Sequence, residues 1–142
     1  QAVIAALSDG IIDVIVSDHD PQDVDTKRLP FAEAEDGAVG LESMLAAGLR
    51  LVNAEQISLS KLVAAMSTNP AKRLGLDAGT LQVNHSADFV VVDLEEPWVL
   101  DPDDLKSRSK NTAFEDARLT GRVVQTFVAG SCVHDTKANR ED

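Results

Sequence analysis

The sequence predicts an α/β chain, helical around one buried strand up to about residue 76 and mainly β beyond it. Three observations carry this reading. Ile11-Ile12-Asp13-Val14-Ile15-Val16 holds five β-branched apolar residues in six positions, the composition of a strand covered on both faces. From Gly40 the apolar residues change to helical spacing. After Gly79 they change again, to extended runs separated by turn residues.

Taken in order, residues 1–8 have helical composition and read as the tail of a helix already under way. Asp9-Gly10 then supplies the stop, with glycine suited to the left-handed position. With no initiator Met, the chain reads as part of something longer, and nothing at its start resembles a signal peptide. The strand is expected over 11–17. Residues 19–39 read as a long acidic loop punctuated by Pro21, Pro30 and Gly37, and loops of this length at a strand's carboxyl end usually have a function. Leu41, Met44, Leu45, Gly48, Leu49 and Val52 lie on one face of an amphipathic helix. Ser58 is an N-cap for a second helix, with Leu59, Leu62, Val63 and Met66 as its buried stripe. Asn69-Pro70 opens a third, Asn as cap and Pro at the first position, and Gly75 ends it. Beyond Gly79, residues 88–94 form a strand, 95–121 are irregular and 122–129 form a second strand. Gly130-Ser131 turns the chain so that 132–134 return as a short partner. Residues 135–142 are expected to fray.

Composition narrows the function classes. An apolar fraction of 44% with only 4% aromatics predicts an aliphatic core. A formal charge of −11 argues against nucleic acid and against an anionic membrane surface. No 18-residue apolar run exists, so no membrane span is expected. The single cysteine, Cys132, rules out an internal disulfide framework and fits a reducing cytoplasm. It reads as a small core residue in a hairpin.

An apolar strand that ends in Ser17-Asp18-His19-Asp20-Pro21 carries polar groups to its carboxyl end, where parallel α/β folds do their chemistry. Asp18 reads as a metal ligand, a proton carrier or both; its bland alternative is a turn carboxylate. His19 points away from Asp18 on an extended segment, which favours a hydrogen-bonding role over shared ligation. Asp20 reads as solvated. His85 and His134 read as surface residues, and no His-x-His or His-Glu-x-x-His occurs. These histidines cannot by themselves build a zinc site. The run Lys106-Ser107-Arg108-Ser109-Lys110-Asn111 reads as an exposed polar loop.

A set of motifs runs in order through nearly the whole chain. It comprises Ser17-Asp18-His19-Asp20-Pro21-Gln22, Lys27-Arg28-Leu29-Pro30-Phe31 and Glu35-Asp36-Gly37-Ala38-Val39-Gly40-Leu41-Glu42. Ser67-Thr68-Asn69-Pro70-Ala71, Leu74-Gly75-Leu76, Gly79-Thr80-Leu81 and Ala87-Asp88-Phe89-Val90-Val91-Val92-Asp93 follow, then Lys110-Asn111-Thr112-Ala113-Phe114 and Val128-Ala129-Gly130. In this the chain resembles the dihydroorotases of the amidohydrolase superfamily.

The resemblance implies the C-terminal part of a TIM barrel, with its last strand and helices in 1–76. It also implies the C-terminal share of a small β-sandwich in 77–134 and a tail in 135–142. It implies zinc, one or two ions, with Asp18 as metal ligand and catalytic proton shuttle and the remaining ligands outside this chain. Gln22, Glu35, Asp36 and Gly37 would contact substrate. The reaction implied is reversible hydrolysis of the ring amide of dihydroorotate to N-carbamoyl-aspartate in pyrimidine synthesis, with hydantoinase or allantoinase activity as neighbours. The implied partners are a small-molecule substrate, the rest of the barrel, a second copy in a homodimer and aspartate transcarbamoylase. One departure matters: many dihydroorotases have His where this chain has Gln22, and Gln cannot be a cation. That keeps open a metal-free scaffold that serves aspartate transcarbamoylase. Alone, the chain is expected to be inactive and to expose the apolar edge of 11–16.

Overall fold

The computed structural model describes residues 1–136. Helix α1 (Ala2–Asp9) ends at Gly10, which takes the left-handed conformation the sequence predicts, φ 78°. The segment after it departs from expectation. Residues 11–18 are extended but form no ladder, and Ile11 and Val16 are 78% and 70% exposed. A strand buried on both faces needs a neighbour on each edge and cover above and below. The described residues place no strand beside it.

What holds this segment is a helix. Helix α4 (Leu59–Val63), a π segment (Ala64–Thr68) and helix α5 (Asn69–Leu74) form one continuous helical run, not the two separate helices expected. Pro70 leaves one carbonyl of the π turn free. In the π register the partner of the Ala65 carbonyl is the amide of residue 70, and proline has none. The Ala65 carbonyl instead accepts from the Ile15 amide at 2.9 Å. Asn69 is not a cap: its side-chain amide donates to the Asp13 carbonyl at 2.8 Å. Ile12 and Ile15 thereby pack on a first core of Leu7, Leu49, Ile57, Leu62 and Ala65.

Helix α3 (Met44–Asn53) starts three residues later than its apolar spacing suggests, and Leu41 is exposed. The reason is that Gly40 is tied to the end of the extended segment, as described below. Helix α3 lies between two cores. Leu49 belongs to the first, while Ala46 joins Val39, Leu100, Leu105 and Leu119 in the second.

The rest is a three-stranded antiparallel sheet in sequential order: β1 (Phe89–Val99), β2 (Arg118–Val128) and β3 (Ser131–Asp135). Strands β1 and β2 are longer than expected. The irregular stretch shrinks to 100–117, because the ladder resumes at Pro97↔Thr120 after a bulge. Ala129 and Gly130, both at positive φ, make the tight turn into β3. Asp135 ends β3, and the Thr136 amide bonds the Val124 carbonyl at 3.0 Å. The expected tail is therefore ordered at 135–136, and 137–142 lie outside the described residues. Cys132 is exposed, not a core residue, because β3 is an edge strand with an uncovered face. No second sheet forms among the described residues.

Candidate functional site

The extended segment ends in a sharp turn. Asp18 takes φ 45°, a region that residues with a Cβ enter at a cost. Its carboxylate is exposed and makes no hydrogen bond or ion pair among the described residues. The turn sends His19 alongside Ala38, and the Asp20 amide donates to the Ala38 carbonyl at 3.0 Å. His19 Nδ1 accepts from the Gly40 amide at 3.1 Å and from Leu41 at 3.4 Å. Accepting there puts the imidazole proton on Nε2. In that tautomer His19 offers no lone pair to a metal and is a support for the loop.

This approach is close enough to demand glycine twice. A Cβ on Gly37 would lie 2.5 Å from the Asp20 carbonyl oxygen, and Gly37 has φ 108°. A Cβ on Gly40 would lie 2.5 Å from the Ser17 carbonyl oxygen. The strand end and the 35–40 loop are thus in backbone contact on both sides of His19.

The loop is held from behind. Lys27, in helix α2 (Val24–Lys27), donates Nζ to the carbonyls of Glu35 at 2.6 Å and Gly37 at 3.1 Å. Helix α2, absent from the sequence reading, is capped by Asp23, whose Oδ1 accepts from the Asp25 amide. Asn111 reaches the same loop from the connection between β1 and β2. Its Nδ2 donates to the Gly37 carbonyl at 3.1 Å, and its Oδ1 accepts from the Gln22 amide at 3.4 Å. Ser109 Oγ donates to the Gln22 carbonyl and also lies 2.6 Å from Asn111 Oδ1. The 106–111 run is therefore no exposed loop at its far end: Ser109, Lys110 and Asn111 are half-buried.

Of the residues singled out in the sequence, Gln22 is held by both of its main-chain groups and lines an open cleft of 990 Å³. Lys27, Arg28, Arg108 and Lys110 give this cleft a basic lining in a chain of net charge −11. Asp18, Glu35, Asp36 and Gly37 do not line it. The carboxylates of Glu35 and Asp36 are exposed, and Asp36 makes no hydrogen bond or ion pair among the described residues. His85 pairs with exposed Asp77 at 2.9 Å. No group of three or more His, Cys, Asp or Glu side chains could hold a metal among the described residues. Asp18 belongs to no such group among the described residues. Lys27, Ser109 and Asn111 were missed as site residues, although Lys27 and Asn111 stand in the quoted motifs.

The amidohydrolase family profile matches residues 1–133. The chain belongs to the amidohydrolase family. Among similar amidohydrolases is a dihydroorotase of Geobacter metallireducens, 45% identical over 133 residues, covering 94% of this chain and 31% of that protein. A dihydroorotase of Acetivibrio thermocellus is 42% identical over 134 residues, 94% of this chain and 32% of its own length. Among solved structures, L-hydantoinase from Arthrobacter aurescens superimposes with a TM-score of 0.83 at 33% identity, over 94% of this chain and 31% of that one. Dihydropyrimidinase from Brevibacillus agri does so with a TM-score of 0.88 at 26% identity, over 96% and 31%. The chain thus spans about a third of the length of the relatives it matches. These relatives bear the names of cyclic amidohydrolases, and among the described residues no helix is long and apolar enough to cross a membrane.

Proposed function

We propose that this chain is the C-terminal share of a dihydroorotase. In this reading residues 1–76 complete a TIM barrel and 77–134 belong to a small β-sandwich. One observation carries the proposal. Asp18 presents a carboxylate with no partner among the described residues at the end of an extended apolar segment, in a chain 45% identical to a dihydroorotase across 94% of its length. The likenesses to L-hydantoinase and dihydropyrimidinase support the same class of chemistry at lower identity, 33% and 26%.

Zinc, when bound, supplies a water acidified enough to attack an amide near neutral pH. Asp18 would lend the metal one carboxylate oxygen. With its carboxylate it would take the proton released on attack and deliver it to the ring nitrogen as the amide bond breaks. Its exposure, with no competing partner among the described residues, supports this role. His19 does not ligate; it ties the 35–40 loop to the strand end. Glu35, Asp36 and Gly37 would meet substrate through the loop backbone, and Gln22 through its amide.

The test is zinc content and dihydroorotate turnover in the full-length protein that carries this chain. One or two zinc equivalents with turnover are expected. No metal after reconstitution, with no turnover, would sink the catalytic reading. It would favour the metal-free scaffold partner of aspartate transcarbamoylase that Gln22, in place of histidine, keeps open.

A further inference from the structure

We infer that Asn111 is a positioning residue that sets the geometry of the substrate-facing backbone at Gln22 and Gly37. The inference rests on the dihydroorotase reading for what the loop touches, and on geometry alone for the clamp itself. Gln22 and Gly37 are separated along the chain, yet one side chain binds both. Asn111 uses each end of its amide: Nδ2 on the Gly37 carbonyl and Oδ1 on the Gln22 amide. Its main-chain carbonyl accepts from the Val39 amide at 2.8 Å, and Thr112 bridges Val39 in parallel. Val39 is 3% exposed and lies in the second core.

The clamp is therefore rooted in packed structure and acts outward on the two loops. Ser109 closes it from the other side through the Gln22 carbonyl. Lys27 supports the same Gly37 carbonyl but does not reach Gln22. Asn111 alone among these side chains spans both loops. Small misplacements of a positioning group weaken substrate binding without removing the reacting groups.

The test compares Asn111→Asp with wild type in the full-length enzyme. The aspartate is nearly isosteric and keeps the acceptor for Gln22, but it loses the donor to Gly37 and turns an oxygen on that carbonyl. The expected result is a KM for dihydroorotate raised by about tenfold with kcat within about twofold, a loss of ground-state positioning. Zinc content should be unchanged, and amide hydrogen exchange should quicken across 36–39. Asn111→Ala should add faster exchange at Gln22. An unchanged KM, or a fall in kcat that merely tracks lost folded protein, would overturn the inference. If the wild type does not turn over dihydroorotate, the functional reading fails by itself. The exchange data then decide the clamp: unaltered exchange at Gln22 and 36–39 in both variants overturns it.

Discussion

Two stretches of this chain have nearly the same sequence character and different structures. Ile11-Ile12-Asp13-Val14-Ile15-Val16 and Phe89-Val90-Val91-Val92-Asp93-Leu94 are both apolar runs rich in β-branched residues. The second is a ladder strand because β2 lies beside it, Val90 facing Thr126 and Val92 facing Val123. The first is extended without a ladder and is tied to a helix, Ile15 to the Ala65 carbonyl and Asp13 to the Asn69 side chain. Strand propensity describes how well residues fit a pleated surface; a strand exists only where a neighbour supplies the other half of its hydrogen bonds. The comparison extends to the aspartates. Asp93 Oδ1 accepts from the amides of Glu95 at 2.9 Å and Glu96 at 3.1 Å and so shapes the bulge in β1. Asp18 accepts from nothing among the described residues. One carboxylate is consumed by the fold, and the other makes no contact of that kind among the described residues.

The largest expected effect separates those two residues. In the full-length protein Asp18→Asn should lower dihydroorotate turnover by roughly 10²- to 10⁴-fold, the range for a lost general acid–base. Asp93→Asn should leave turnover unchanged in the same assay. Equal losses at both positions would erase the distinction.

Next comes Gly40→Ala. Its methyl would meet the Ser17 carbonyl oxygen at 2.5 Å, and overpacking of this kind costs about 1–3 kcal/mol. The urea midpoint should fall accordingly. Gly75→Ala is the control, with nothing within 4 Å of its Cβ, so its penalty is only that of the left-handed backbone, about 1 kcal/mol.

Asp93→Ala should cost about 1 kcal/mol, from two exposed hydrogen bonds in the β1 bulge. Unfolding by denaturant would register it. An effect of the same size, confined to one hydrogen bond, belongs to Pro70→Ala. It gives residue 70 an amide that competes with Ile15 for the Ala65 carbonyl, so Ile15 exchange should quicken several-fold, about 1 kcal/mol. Unchanged exchange at Ile15 would mean that proline is not what directs this carbonyl outward.

Much of the local structure was legible. The stop at Gly10, the cap at Ser58 and the β character after residue 88 all depend on residues close in sequence, and the hairpin turn expected at Gly130-Ser131 falls one residue earlier, at Ala129-Gly130. The polar end of the apolar run at Asp18 is likewise visible in one dimension. Helix boundaries failed where a distant group intervened. Helix α3 begins late because Gly40 is tied to His19, 21 residues away. The helices around Pro70 merge because a free carbonyl finds the Ile15 amide. Cys132 was misplaced because burial of an edge strand depends on what covers it.

By itself, then, the sequence determined the chain's periods, its stops and turns, its family and the residue at the strand end. These are local because they arise from backbone preference, side-chain spacing and motif order. Only the tertiary structure decided which of two similar apolar runs became a strand, and which of two similar aspartates has a carboxylate with no partner among the described residues. It also brought Asn111 to the backbone of Gln22 and Gly37, 89 and 74 residues away. Hydrogen bonds are short-ranged and indifferent to sequence separation, so their partners emerge only when packing has brought the loops together.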